Sequence, residues 1–246
     1  MANRNRRKTG VEAILEHMEH ARYQRDKGAL FSDFTELEMK ILTSPSPSPA
    51  TALTALTAFP EPMQPTLKAM HVAYWEAVGD ADPYDDLLGD LYMQIRSRFA
   101  AASLGQYFTP KSIARLKARI TLSGWEPSDD AVPERLFQIN EPTCGSGVLL
   151  LQVAYMIAES RGAEALTQWQ FVGNDLDGIC ARMCAIQMLA NAMVWQAPYG
   201  ELLIRHSNTL IPFDEARPEQ IVVHAEHRSR TELRRWRKIA SIISAY

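Results

Sequence analysis

Three short stretches carry residue types that could hold a small polar ligand. The first is EPTCGSG, Glu141–Gly147, which leads from an apolar strand-like segment into an apolar run of helical length. Gly145 and Gly147 bring no side chain, so the backbone can pass against a ligand, and the helix that follows presents free amides. A dinucleotide fingerprint asks for Gly or Ala three residues beyond the second glycine; Leu150 stands there, so the pattern for NAD fails. The second stretch, FVGNDLDG, ends a strand-like segment on Asp175, where a carboxylate can accept both hydroxyls of a ribose. Asp177 just beyond it reads as a helix N-cap. The third is GQYFTP, Gly105–Pro110, which sets two aromatic residues before a proline.

Other reactive residue types are sparse. Cys144, Cys180 and Cys184 are odd in number and form no CxxC pair, which predicts reduced thiols and neither a disulfide framework nor a zinc knuckle; no metal site is expected. Cys180 and Cys184 lie one helical turn apart and read as small core residues.

These stretches need a scaffold. From Leu136 onward, strand-like pieces over 136–140, 169–174, 201–206 and 220–225 alternate with helical pieces over 147–161, 178–193 and 229–245. Such alternation predicts an α/β fold of βαβ units with about four parallel strands. The glycine turn and Asp175 then fall at the carboxyl ends of neighbouring strands, where ligands bind in such sheets.

Upstream the pattern is helical. Residues 11–28 read as one helix closed by Gly28, and SDFTELEMKIL as a second, capped by Ser32 or Asp33 and running to Leu42. Residues 43–66 contain six prolines and almost no charge, which reads as a loop or linker. LKAMHVAYWEAV and DPYDDLLGDLYMQIRSRFA return to helical period, with Asp82–Tyr84 as a helix start. The expected organisation is N-terminal helices with a basic tail over 1–42, a linker over 43–66, a helical region with GQYFTP over 67–134, and an α/β core over 135–246.

With 246 residues, 46% of them hydrophobic, the chain can build one sizeable core. No apolar run reaches the roughly 20 residues that span a bilayer, so a cytoplasmic protein without membrane contact is expected. The net charge of −3 hides two basic ends: Arg4, Arg6, Arg7 and Lys8, and residues 226–238 with six basic against two acidic side chains. Ends of this kind can neutralise phosphates.

Taken together, the stretches resemble the DNA adenine N6-methyltransferases, in particular the modification subunits of type I restriction systems. DDLLGDLYMQI is similar to that family's helical approach segment, GQYFTP to its motif X, EPTCGSG to its motif I and GNDLD to its motif II. The resemblance implies a partial Rossmann-like methyltransferase fold behind a helical N-terminal region, S-adenosylmethionine as cofactor and DNA as partner. It implies that Phe108, Thr109 and Pro110 lie against the methionyl end of the cofactor, with Gln106 and Tyr107 shaping the entrance. Glu141, Thr143, Cys144, Gly145 and Gly147, with Ser146 among them, would line the methionine and ribose region. Asp175 would hold the ribose hydroxyls and Leu176 would lie against the adenine. IRHSNTL sits where the family has Gly-Asp-Ser-Leu; here Ser207 replaces the Gly and Asn208 the Asp, keeping an uncharged acceptor for the cofactor's adenine amine.

The resemblance breaks at the base-binding motif, Asn or Asp followed by Pro-Pro and an aromatic. In the family its acceptors hold the target amine and the aromatic stacks on the flipped base. The sequence contains no Pro-Pro pair, and Ala225, Glu226, His227 and Arg228 fall near the expected place, so no catalytic residue is assigned. The strand QIVVHA would end the sheet on an exposed edge, covered by another subunit or by a final helix that carries Arg234, Arg235, Arg237 and Lys238. Three readings stay open: a cofactor-binding subunit that cannot methylate DNA alone, a methyltransferase with an atypical acceptor near Ala225–Arg228, or a DNA- or protein-binding module that mimics or interferes with a modification subunit.

Overall fold

A computed structural model describes residues 10–21, 25–44, 49–96, 108–124, 136–211 and 220–226. Gln106 and Tyr107, both basic ends and the helix expected over 229–245 lie outside the described residues.

The strands fall where alternation predicts them. β1 (Phe137–Glu141), β2 (Trp169–Asp175), β3 (Glu201–His206) and β4 (Ile221–Glu226) form one sheet in the order β1-β2-β3-β4. β1, β2 and β3 are parallel, joined through α7 (Val148–Arg161) and α8 (Gly178–Val194). β4 departs from the expectation of four parallel strands, because it runs antiparallel to β3, with Glu226 opposite Glu201 and Val223 opposite Ile204. An apolar run encodes no direction; a parallel return needs a crossover, usually a helix, and the residues between β3 and β4 carry no helical period.

The helical region differs from the expectation in its joints. α1 (Gly10–His20) stops well short of Gly28, which instead opens α2 (Lys27–Leu42). Asp26 is the N-cap of α2, accepting the amides of Gly28 at 3.0 Å and Ala29 at 3.2 Å, while Ser32 and Asp33 lie inside the helix. The described part of the supposed linker, from residue 49 on, is folded. α3 (Pro49–Leu56) lies within it, and Ala52, Leu56, Phe59 and Met63 are core residues. Pro62 sits in a short 3-10 turn and Pro65 in the first turn of α4 (Gln64–Asp80), where a missing amide proton costs nothing. Tyr84, at φ 62°, belongs to the turn before α5 (Leu87–Ile95), so Asp82–Tyr84 precedes that helix instead of starting it. α6 (Lys111–Thr121) follows Pro110 and packs on α7.

α8 is the middle layer. It touches β2, β3 and β4 on one side and α2, α4 and α5 on the other, so nearly every residue from Cys180 to Met193 is buried. Arg182 ties it to α2, donating to Thr35 Oγ1 at 3.0 Å and Ser32 Oγ at 3.1 Å. Cys180 and Cys184 are buried and unpaired, as expected of core residues. Among the described residues no helix is long and apolar enough to cross a membrane.

Candidate functional site

The site is built at the carboxyl ends of β1, β2 and β3. Asn174 stitches the three together: its carbonyl accepts the Cys144 amide at 2.8 Å, its side-chain nitrogen donates to Ser207 O at 2.7 Å, and the Ser207 hydroxyl donates back to its side-chain oxygen. This fixes the turn after β1 against the end of β2.

EPTCGSG goes from an exposed start to a buried end. Thr143 is exposed and Gly145 half-buried, whereas Cys144, Ser146 and Gly147 are buried. Gly145 has φ 55° and Gly147 φ 99°, left-handed conformations that favour glycine. The Gly145 amide donates to Asp175 Oδ2 at 2.8 Å, and Asp175 Oδ1 accepts the Asp177 amide at 2.9 Å. Phe108 completes this group, since its ring edge stands 3.5 Å from where a Cβ on Gly145 would project. The structure thus brings Phe108, Gly145 and Asp175 together from three separate stretches. Leu176 is exposed beside Asp175. Asp177 caps α8 through the Ile179 amide at 2.8 Å, as its position predicts.

Other predicted residues stand differently. Glu141 accepts the Thr143 amide and hydroxyl at 3.4 and 3.3 Å, so those two side chains satisfy each other at the rim. Asn208 is exposed, and its side-chain oxygen accepts the Leu210 amide at 3.0 Å, a local turn. A hydrogen bond with Cys184, together with burial, holds the Cys144 thiol well above its ordinary range, which favours the neutral thiol. Thr109 and Pro110 lead into α6, beside a cavity of about 320 Å³ lined by Asp85, Asp90, Phe108 and Val148 among others. Lys111 pairs with Asp85 at its rim, and burial, with Asp86 and Asp85 nearby, raises the Asp90 carboxyl above its usual range.

Sequence reasoning missed Asp86 and Gln187. Asp86 Oδ1 accepts the Gly89 amide at 3.0 Å and Gln187 Nε2 at 2.8 Å, while Oδ2 accepts the Ser146 hydroxyl at 2.6 Å. The only signal for Asp86 was its N-cap position before Leu-Leu-Gly; Gln187 lies inside an apolar helix with no local signal at all.

The direction of β4 corrects one expectation. Ala225 and Glu226 pair with Leu202 and Glu201, at the amino end of β3, roughly 15 Å of strand away from Asp175 at the carboxyl edge. Neither can serve as an acceptor beside the glycine turn; His227 and Arg228 lie outside the described residues.

A family model described as N-6 DNA Methylase matches residues 84–226, more than half of the chain. The matched span runs from the Tyr84 turn through β4 and includes every site residue placed above. The chain is also 28% identical over 128 residues to the type I restriction enzyme MpnII methylase subunit of Mycoplasma pneumoniae, an alignment that covers 51% of this chain and 21% of that protein. The chain therefore spans about a fifth of the length of this curated relative. No solved structure matches. With its glycine turn, strand-end carboxylate and motif order all inside the matched span, the chain belongs to the N-6 DNA methylase family.

Proposed function

We propose that the chain binds S-adenosylmethionine at the Phe108–Gly145–Asp175 group and supplies the cofactor side of adenine N6-methylation in DNA, depending on a partner subunit for methyl transfer. The observation that carries this reading is the convergence of those three residues at the carboxyl ends of the parallel strands β1 and β2. The family is generally S-adenosylmethionine-dependent, and the residues present fit that group. A side chain at Gly145 would fill the gap to the Phe108 ring, so glycine keeps a cradle open there. Asp175 has lone pairs beyond the two amides it accepts and can receive ribose hydroxyls. Exposed Leu176 offers an apolar wall for the adenine. Asp85 and Asp90 beside Phe108 suit the ammonium of the methionine end, and Glu141 and Thr143 close the opposite rim. Asn208 accepts from the adenine amine in the same reading; Gln106 and Tyr107, expected at the entrance, lie outside the described residues.

When bound, the cofactor supplies a methyl group on a sulfonium. The chain's own residues orient it, and nothing among the described residues holds a target adenine: β4 carries its end to the far edge of the sheet. That direction supports the partner-dependent reading. The outer edges of β1 and β4 are unpaired among the described residues, which leaves strand edges for a partner subunit. DNA as substrate is supported by the family, and the name of the relative, a methylase subunit, supports assembly with other chains.

Calorimetric titration with S-adenosylmethionine tests the reading. The wild type is expected to bind and Asp175→Ala to bind at least about tenfold more weakly, a loss of about 1.4 kcal/mol. A wild type that does not bind overturns it.

A further inference from the structure

The two glycines of the cofactor turn pose a physical problem. Glycine loses more conformational freedom on folding than any other residue, so Gly145-Ser146-Gly147 has a loose joint on either side of Ser146. A binding loop that must still be ordered when its ligand arrives binds weakly. Something must hold Ser146.

We propose that Asp86 is a positioning residue for this turn, gripping it from behind through the Ser146 hydroxyl. Resting on the reading that the turn binds S-adenosylmethionine, the assignment concerns how the turn is kept in shape. Ser146 is fully buried. Its hydroxyl donates to Asp86 Oδ2 at 2.6 Å, and its carbonyl accepts Gln187 Nε2 at 2.8 Å. The same Gln187 nitrogen donates to Asp86 Oδ1 at 2.8 Å, and Gln187 Oε1 accepts the Leu88 amide at 3.0 Å. Asp86 is itself fixed, because Oδ1 caps α5 through the Gly89 amide. Ser146 is therefore held by both side chain and backbone, from α5 and α8 at once. Two neighbouring ties keep those elements in place: the Tyr84 amide donates to Asn191 on α8 at 2.7 Å, and Gln152 on α7 donates to the Tyr84 carbonyl at 3.2 Å. With the middle residue fixed, the Gly145 amide is left pointing at Asp175.

The grip needs acceptor geometry more than charge. In Asp86→Asn the side-chain oxygen still accepts from Gly89 and Gln187, and the new amide nitrogen can donate to the Ser146 oxygen. Asp86→Ala removes the grip, and Ser146→Ala removes only the hydroxyl contact.

The test combines calorimetric titration of S-adenosylmethionine with amide hydrogen exchange at Gly145 and Gly147, both of which donate hydrogen bonds in the turn. Asp86→Ala and Ser146→Ala are expected to bind about tenfold more weakly, the factor that losing one hydrogen bond to a charged acceptor implies. Exchange at the two glycine amides should quicken by a similar factor while amides in β2 keep their protection. Asp86→Asn should rescue both readouts, which a loss of general stability would not do. If Asp86→Ala fails to fold, Ser146→Ala decides, since it deletes a single oxygen. Unchanged affinity and unchanged exchange in the alanine variants, or no rescue by Asp86→Asn, overturns the assignment. Should the wild type not bind the cofactor, the functional reading fails, and the exchange data still decide whether Asp86 holds the turn.

Discussion

Gly145 and Gly147 share a left-handed backbone but answer to different neighbours. A Cβ on Gly147 would stand 2.9 Å from Cys184 Sγ and 3.1 Å from Cys184 Cα, and the latter cannot yield without moving α8. Gly147→Ala is therefore expected to destabilise the fold by about 3 kcal/mol, from backbone strain and overpacking together, read as a lower urea midpoint. Adding Cys184→Ala should recover only the part due to sulfur. At Gly145 the Cβ meets only the Phe108 ring at ordinary contact distance, so Gly145→Ala should cost about 1 kcal/mol of stability and lose cofactor affinity disproportionately. Asp86 carries a pH signature of its own. Burial raises its carboxyl above the ordinary 3.8, against the bonds from Gln187, Ser146 and Gly89 that lower it. The folded chain thus keeps this proton to higher pH than the unfolded chain, and the contribution of Asp86 to stability falls as pH rises from about 4 through the raised value. Asp86→Asn cannot titrate. The stability of Asp86→Asn relative to wild type should accordingly grow across that window, as urea midpoints taken from pH 4 to 7 would show.

Among the elements, α6 makes the division between packing and surface easiest to test. Ala114 and Ala118 are buried, and α6 packs on α7, whereas Ile113, Leu116 and Ile120 form an exposed stripe on the same helix. Ala118→Leu should cost about 1–3 kcal/mol by overpacking, while Leu116→Gln should stay within about 0.5 kcal/mol, both measured by thermal melting. The stripe runs against the usual sense of helical period, in which the apolar face is the buried one; here alanine allows close approach to α7 and the larger residues are left outside. The sequence showed the position of each strand, since short apolar pieces between helical ones leave little choice of where β1, β2 and β3 lie. The direction of β4 was not legible, because apolar content does not depend on chain direction. Nor was the folded state of residues 49–63, where proline content outweighed the apolar residues Ala52, Leu56 and Phe59 that enter the core. At the site, Gly145, Asp175 and Asp177 could be read locally, each from a strand end or a cap. The Asp86–Gln187 pair joins residues 101 positions apart, and no local pattern announces a contact of that kind.

At the scale of the whole molecule, the N-terminal helices are what make α8 possible. A helix that is apolar all round must be covered on every side. The sheet covers one side of α8, and α2, α4 and α5 cover the other. The covering helices are themselves locked by a buried polar group: Glu38 on α2 accepts from Trp75 Nε1 at 3.1 Å and contacts His71 Nδ1 at 2.5 Å, both on α4. Glu38→Leu strands both partners in the core and should cost about 3–5 kcal/mol. Because one continuous core runs from Val11 to Val223, that loss should lower a single melting transition, with far-ultraviolet circular dichroism and tryptophan fluorescence coinciding. Two separate transitions would show instead that the helical layer and the sheet fold as independent units. The same reasoning bears on the site. Asp86 reaches the glycine turn from the start of α5, so a chain reduced to residues 82–226 would keep Asp86 and the candidate site residues and lose α2 and α4 from the cover over α8. Such a chain is expected to retain secondary structure, bind a hydrophobic dye and show no near-ultraviolet signal, the behaviour of a compact state without fixed packing. Its failure to bind S-adenosylmethionine, beside a wild type that does, would show that the helical layer is needed to shape the turn as well as to cover the core.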